Sequence, residues 1–440
     1  MHETAQVVLR HATILIGDAN ETIHHDGALV IEDGHIAYIG PDADLPPLYA
    51  SFDQLDCSDA LVLPSLINCH THTGMVAFRS LGDDIPDRLR RFLLPLERSC
   101  MTADLAQTSA ALAIAEMQLA GIGCAVDMYY YEQEIAKIAS AMHFSLFAGE
   151  TVMEESPCNS SHVEQAIAYA SSIQNTPCTR RIYAAHAPYS VSVEHLRKLK
   201  QLAEEQGLRW TMHLSEMDFE WDYYTSTFQQ TPIEYLDSQG LLDARLLAAH
   251  CVRTTDNDLD LLAKHKVTVV HCPGANAKSG KGVARVHEML QRGIRVCLGT
   301  DGPASGNTLD LFTQMKLCAI LQKNAEADRT VLPARSVVPM ATRSAAEALG
   351  IGHSTGSLEA GKDADILVLG LEQPNMQPCF DPYSVVVYSA GPHNVRHLFS
   401  KGVHVVCNHT LTLCDLQELK VNFAQAARPF FSQAQKLISG

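Results

Sequence analysis

Residues 61–72, LVLPSLINCHTH, run from an unbroken apolar stretch into two histidines one residue apart. The stretch fits a buried strand, and side chains two apart on a strand point the same way, so His70 and His72 are expected to grip one ion. An H-x-H pair is weak evidence alone, because histidines commonly satisfy ordinary core or surface hydrogen bonds. Repetition along the chain changes its weight. His213 closes GLRWTMH, His250 closes ARLLAAH, His271 closes KVTVVH and Asp301 closes GIRVCLGTD. Titratable residues at the C-terminal ends of successive strand-like runs are what the active face of a (β/α)8 barrel requires.

His70, His72, His213 and Asp301 supply three imidazoles and a carboxylate, a ligand set for a catalytic divalent metal such as zinc that leaves coordination open for water. Glu216, three residues after His213 in TMHLSEM, adds an acid/base group. The five residues read together as a metal-activated hydrolytic site.

Working outward, strand-like runs alternate with helix-like segments. After 61–70 come a helix over 102–121, GCAVDMY, helix 132–141, FSLFAGE, helix 161–173, RRIYAAH, helix 192–206, LRWTMH, a helix near 231–238, ARLLAAH, helix 255–264, KVTVVH, helix 283–292 and IRVCLGTD. Eight such strands separated by helices predict an α/β fold, a TIM-type barrel over 61–354, with further helices near 308–323 and 335–349. The ends read differently. Residues 1–60 (VVLRHATILIG, GALVIEDG, HIAYIG) and 355–410 (DADILVLG, VRHLFSKGVHVVC) show short alternating strands with Gly and Asp turns. A small composite β-sandwich built from both chain ends, 1–60 and 355–440, is the economical reading, with a C-terminal helix over 411–436.

A chain of 440 residues exceeds a bare barrel of roughly 250, which leaves room for that second unit. The formal charge of -17 disfavours a nucleic-acid backbone partner, which needs a basic face. No stretch is apolar and long enough to suggest a membrane partner, and the N-terminus lacks the pattern of a secretory signal, so a cytoplasmic protein is expected. The thirteen cysteines are scattered without a CxxC pair, which points to reduced thiols. Cys69, Cys124, Cys251, Cys272 and Cys297 lie in apolar runs, where cysteine acts as a small hydrophobe. In that setting the sequons at Asn20, Asn159 and Asn408 are chance matches.

Two tempting motifs fail. GANAKSGK, Gly274 to Lys281, has one residue too many between its glycines for a phosphate loop, and Gly282 stands where Ser or Thr should hold magnesium. DNDLD, Asp256 to Asp260, lacks the glycine and closing glutamate of a calcium loop. Thr255 with Asp258 reads instead as a helix-capping pair.

The combination of PSLINCHTHTGM, AAHAPYSVS, HLSE, AAHCV, VVHCPGANAK, LGTDGPASGNTLDLF and GSLEAGKDADILVL resembles the amidohydrolase superfamily, in the branch that holds 5-methylthioadenosine/S-adenosylhomocysteine deaminases, guanine deaminases and triazine hydrolases. The resemblance implies that His70, His72, His213 and Asp301 hold a single metal, Zn2+ with Fe2+ as the expected substitute. It implies that Glu216 shuttles protons, that His250 orients the attacking water, and that Asp301 is catalytic as well as a ligand. Glu97, in LLPLE, matches the position that hydrogen-bonds ribose hydroxyls, and His186 matches a substrate-contacting histidine. Ser305 and Asn307, on the loop after the last ligand, are expected to line the pocket.

In some triazine-dechlorinating relatives a glutamine replaces the glutamate, so the Glu216 kept here favours deamination. Glu150 stands where some adenosine-type relatives carry an arginine, which favours a small 5'-substituent. The expectation is a homo-oligomeric hydrolase acting on a C–N bond of an amino-purine, a 5'-substituted adenosine, with a free-base or pterin deaminase or a triazine-type hydrolase as the alternative.

Overall fold

The computed structural model describes residues 4–155 and 163–439. Cys158 and the Asn159 sequon lie outside them, as do the first two residues of the helix expected over 161–173, which is described as Val163–Ser172.

The run at 61–72, one strand by its sequence, is two strands in different sheets. Ala60–Pro64 ends at a proline, which has no N–H to extend a ladder, and Leu66–Thr71 begins two residues later. Between them Ser65 N–H donates to Asp365 O, and Leu66 N–H donates to Gly121 O on the barrel side. The chain thus crosses from one sheet to the other within two residues.

The barrel strands follow in chain order: Leu66–Thr71, Ile122–Tyr129, Ser145–Val152, Tyr183–Ala185, Trp210–Leu214, Leu246–His250, Thr268–His271 and Val296–Leu298, each parallel to the next. The short strand Thr179–Arg181 pairs beside Ser145–Val152. The ring closes through side-chain and backbone hydrogen bonds between its first and last strands. Asn68 Nδ2 donates to Thr300 Oγ1 (2.7 Å), Thr300 N–H donates to Asn68 Oδ1 (3.0 Å), and Asp301 N–H donates to His70 O (3.0 Å). That seam carries two of the expected metal ligands. Alternation sorts the barrel residues: Leu246 and Ala248 face the outer apolar cluster, and Leu247 faces an inner one with Ile67, Cys69, Val126, Val270 and Cys297.

Both chain ends build one mixed sheet, ordered Thr410–Leu411, Val403–Cys407, Val395–Ser400, Ile366–Gly370, Ala60–Pro64, Val7–Leu15, Ile23–Glu32 and His35–Pro41, with Asp53–Asp56 beside Val7–Leu15. Ile366 and Val368 pack with Leu9, Ile14, Leu29, Ile31, Val62 and Phe399, whereas the intervening Leu367 and Leu369 pack toward the barrel. The first cluster draws its members from this sheet and the turns beside it, so the sheet folds over its own apolar face.

Two helical expectations are revised, and one helix is added. The segment 335–349 breaks into Ala334–Val337, a 3-10 turn Val338–Ala341 and Arg343–Leu349, because Pro339 removes a helical hydrogen bond. The tail is two helices, Leu416–Ala426 and Arg428–Ser439, divided just before Pro429 for the same reason. A further helix, Asp218–Phe228, forms from an aromatic run without clear helical periodicity. The tail helices pack on Ala103–Leu119 and Leu94–Cys100, and Phe430 meets Phe78 with ring centroids 4.6 Å apart. Thr255 and Asp258 form the expected capping box. No helix among the described residues is long and apolar enough to cross a membrane.

Candidate active site

The barrel strands deliver their polar ends to one place. Ring nitrogens of His70, His72 and His213 lie within 4.8 Å of one another, as do ligand atoms of Glu216, His250 and Asp301. His72 Nδ1 donates to Met128 O, and His213 Nδ1 donates to His186 O (2.6 Å). Those backbone bonds set the tautomers, so both Nε2 atoms, 3.3 Å apart, present lone pairs inward. His72 Nε2 is 3.2 Å and His70 Nε2 3.9 Å from Asp301 Oδ1. His70 is fully buried, and neither of its ring nitrogens has a hydrogen-bond partner among the described residues. A buried imidazole without a partner is costly unless something else takes its lone pair. This donor set, three imidazoles around a carboxylate, fits a divalent transition-metal ion.

Backbone strain aims two of these groups. Ala248 faces outward, so simple alternation would send His250 outward too. His250 instead adopts φ 74°, which turns its ring inward, and Asp301 adopts φ 59°. Left-handed conformations at non-glycine residues cost of order 1–3 kcal/mol each and concentrate at functional sites. His250 Nδ1 is held by Asn276 Oδ1 at 2.9 Å, leaving Nε2 3.5 Å from Glu216 Oε1. Burial alone would raise the Glu216 carboxyl, but His250 and the ion-paired Lys281 outweigh it and hold the group down at about 2. Glu220 caps the loop that presents Glu216, accepting from Ser215 N–H (3.0 Å) and Glu216 N–H (2.9 Å).

A cavity of about 800 Å³ opens over this cluster, lined in part by His72, His213, Glu216 and Asp301. Pockets of ~300–1,000 Å³ suit drug-sized ligands. Glu97, His186 and Ser305 lie in its wall. Asn307 sits one contact back, its amide donating to Asp83 Oδ2 (2.8 Å) and its carbonyl accepting from Lys278, and Asp83 and Lys278 line the cavity instead. Glu97 Oε1 accepts the Tyr129 hydroxyl at 2.9 Å, and burial pushes its carboxyl up to about 7 against that bond. His186 Nδ1 meets Ser190 Oγ at 2.7 Å, and burial lowers the ring to about 4. Glu150 is buried behind the wall, accepting from Glu132 N–H.

Tyr129, Asn276, Lys281 and Glu220 escaped the sequence reading. Asn276 and Lys281 both lie in GANAKSGK, a stretch whose local pattern carries no mark of its partners at the site.

A sequence profile of the amidohydrolase family matches residues 61–405. The chain is 35% identical over 430 residues to a 5-methylthioadenosine/S-adenosylhomocysteine deaminase of Syntrophobacter fumaroxidans, covering 96% of this chain and 98% of that one. It is 33% identical over 429 residues to a 5'-deoxyadenosine deaminase of Methanosarcina mazei, with 96% and 98% covered. Among solved structures, an adenosine deaminase from Xanthomonas campestris with bound zinc superposes with a TM-score of 0.93 at 27% identity, covering 98% of this chain and 100% of that one.

Proposed function

This chain belongs to the amidohydrolase family, and from that premise we propose that it is a metal-dependent deaminase that hydrolyses the exocyclic C–N bond of an amino-purine. Its substrate is a 5'-substituted adenosine such as 5'-methylthioadenosine, converted to the inosine analogue with release of ammonia. One observation carries the reading: Glu216, His250 and Asp301 converge on a nucleoside-sized cavity whose wall holds the Glu97–Tyr129 pair. Relatives named for 5'-modified adenosines support it.

His70, His72, His213 and Asp301 would hold the ion, zinc in the first place and ferrous iron as its substitute. When bound, such an ion lowers the pKa of water toward neutrality. The chain's own residues do the rest. His250, fixed by Asn276, holds the attacking water through Nε2. Glu216 takes the first water proton at Oε1 and gives it to the ring nitrogen beside the amino-bearing carbon. Asp301 Oδ1 takes the remaining hydroxyl proton and delivers it to the departing amine, so both protons of the water are accounted for. Glu97 accepts from the ribose hydroxyls, and His186 contacts the base. The same reading includes the barrel of the 61–354 unit, from Leu66 on, as the catalytic part, with 61–64 joining the segments 1–60 and 355–440 in its scaffold, a cytoplasmic setting and a homo-oligomer.

Ammonia release from 5'-methylthioadenosine, adenosine, guanine and isoxanthopterin in one assay tests the substrate. Faster turnover of a free base or pterin than of either nucleoside would overturn the nucleoside reading and favour the base-deaminase alternative. Elemental analysis of protein purified without added metal tests the ion, and an active protein free of transition metal would sink the assignment.

A further inference from the structure

A trio of metal-competent side chains lies outside the barrel mouth. His397, His404 and Cys407 belong to the hairpin Val395–Ser400/Val403–Cys407 of the composite sheet, and their ligand atoms all lie within 4.8 Å of one another. His397 pairs with Cys407 across the antiparallel ladder, so the two share a face. Strict alternation would put His404, three residues before Cys407, on the opposite face. A register shift prevents this. Leu398 pairs with Val406 but Phe399 pairs with His404, so Val405 is the extra residue of a bulge. His404 therefore opposes the residue two after His397 and joins its face. The Phe399 ring stacks on His404 at 4.2 Å and 18° between planes, which fixes the imidazole.

The ring nitrogens converge. His397 Nδ1 and His404 Nε2 are 3.0 Å apart, and the Asn408 N–H approaches the same Nδ1 at 3.5 Å. The Asn408 N–H directed at it makes His397 Nδ1 a lone-pair nitrogen. His397 is buried while His404 and Cys407 are half-buried, so solvent reaches the cluster. The spacing H-x6-H-x2-C escapes a search for paired CxxC motifs.

We propose that His397, His404 and Cys407 form a second metal site that takes a thiophilic transition-metal ion, zinc being the representative, through two imidazoles and a thiolate with water in the fourth position. Zinc–nitrogen and zinc–sulfur distances of ~2.0–2.3 Å put tetrahedral ligand atoms roughly 3.4–3.6 Å apart. The trio reaches that spacing by closing at most about 1 Å at its widest while the two imidazole nitrogens, 3.0 Å apart, open slightly, a rotamer adjustment open to half-buried side chains. Protons and charge balance simply. The Cys407 thiol releases its proton to solvent, the His404 N–H moves from Nε2 to Nδ1, and the ion keeps its oxidation state. The thiolate makes this donor set softer than that of the barrel site.

The test uses the full chain. Loaded with excess zinc and freed of unbound metal, the protein is expected to carry about two ions per chain, and Cys407→Ser about one, counting a single barrel ion. Cobalt(II) gives the more specific readout. A thiolate-to-cobalt charge-transfer absorption is expected for the wild type and absent from Cys407→Ser, because the barrel ligands include no sulfur. His404→Gln should weaken the same band and serves as the second variant if Cys407→Ser does not fold. A wild-type protein that saturates at about one equivalent without a thiolate band refutes the proposal whatever the variants do. So does a band that survives Cys407→Ser.

Discussion

The barrel mouth and the composite sheet treat buried polar groups in opposite ways. In the sheet region the buried Asp42 carboxylate takes two hydrogen bonds of 2.6 Å from Arg10, and at the surface Arg396 spans Asp59 and Glu372. In the mouth, among the described residues, His70 has no hydrogen-bond partner at either nitrogen and His250 Nε2 has none, whereas in the sheet Ser400 Oγ is the exception. A region built for stability satisfies most of its polar atoms. A region built for chemistry holds some of them open at a cost of order 1–3 kcal/mol each. The hairpin 395–407 is where the sheet takes on the character of the mouth, with two histidines and a cysteine brought together by a bulge.

Substitutions can break or sharpen that contrast. The largest effect is expected from Glu216→Gln, nearly isosteric but unable to shuttle a proton. kcat should fall roughly 10²–10⁴-fold while metal content and melting temperature hold. Turnover near that of the wild type would move the shuttle elsewhere.

Ile366→Ala should show the reverse pattern. Ile366 is fully buried in the sheet's own core, and its truncation should cost about 2–5 kcal/mol of stability in denaturant unfolding. The kcat of the folded fraction should not change. Lost activity at full foldedness would mean that the sheet reaches the chemistry.

Glu97→Ala should lower kcat/KM for 5'-methylthioadenosine by roughly 10–100-fold, from the ~1.5–3 kcal/mol of a hydrogen bond to a charged group, and leave turnover of a free base alone. Equal losses on both substrates would assign Glu97 to the fold of the wall rather than to the sugar.

The smallest effect belongs to Asp42. The hydrogen bond from Arg10, opposed by burial and aided by His11 N–H, lowers its carboxyl below the ordinary range. A carboxyl depressed by folding stabilises the protein above its unfolded pKa of ~3.9, and the contribution disappears as pH falls through the folded value. Asp42→Asn should therefore cost under ~1 kcal/mol at neutral pH and less as pH falls below ~3.9 toward the depressed folded value. Urea titrations at neutral pH and below ~3.9 would show it, and an equal cost at both would assign the effect to packing.

Much of the molecule was legible from local pattern. Apolar runs, most of them ending in His or Asp, located the barrel strands and the ligands, because a strand in a (β/α)8 barrel is apolar along its length and functional only at its C-terminal end. Alternating runs at both ends located the composite sheet. What the sequence could not show depends on where the backbone departs from its own periodicity. The split of 61–72 at Pro64 sends one run into two sheets, and the inward turn of His250 at φ 74° and the bulge at Val405 each reverse the face that alternation assigns. The partners of the site residues, Asn276 for His250, Lys281 for Glu216 and Tyr129 for Glu97, stand 26, 65 and 32 residues away in the chain. Such pairings leave no local signature, since only the closed barrel brings the loops that carry them to one mouth. The sequence by itself determined the strands, the helices between them and the residue types of the site. The tertiary structure decided which polar atoms are satisfied and which are held open, because that depends on contacts among segments distant in the chain.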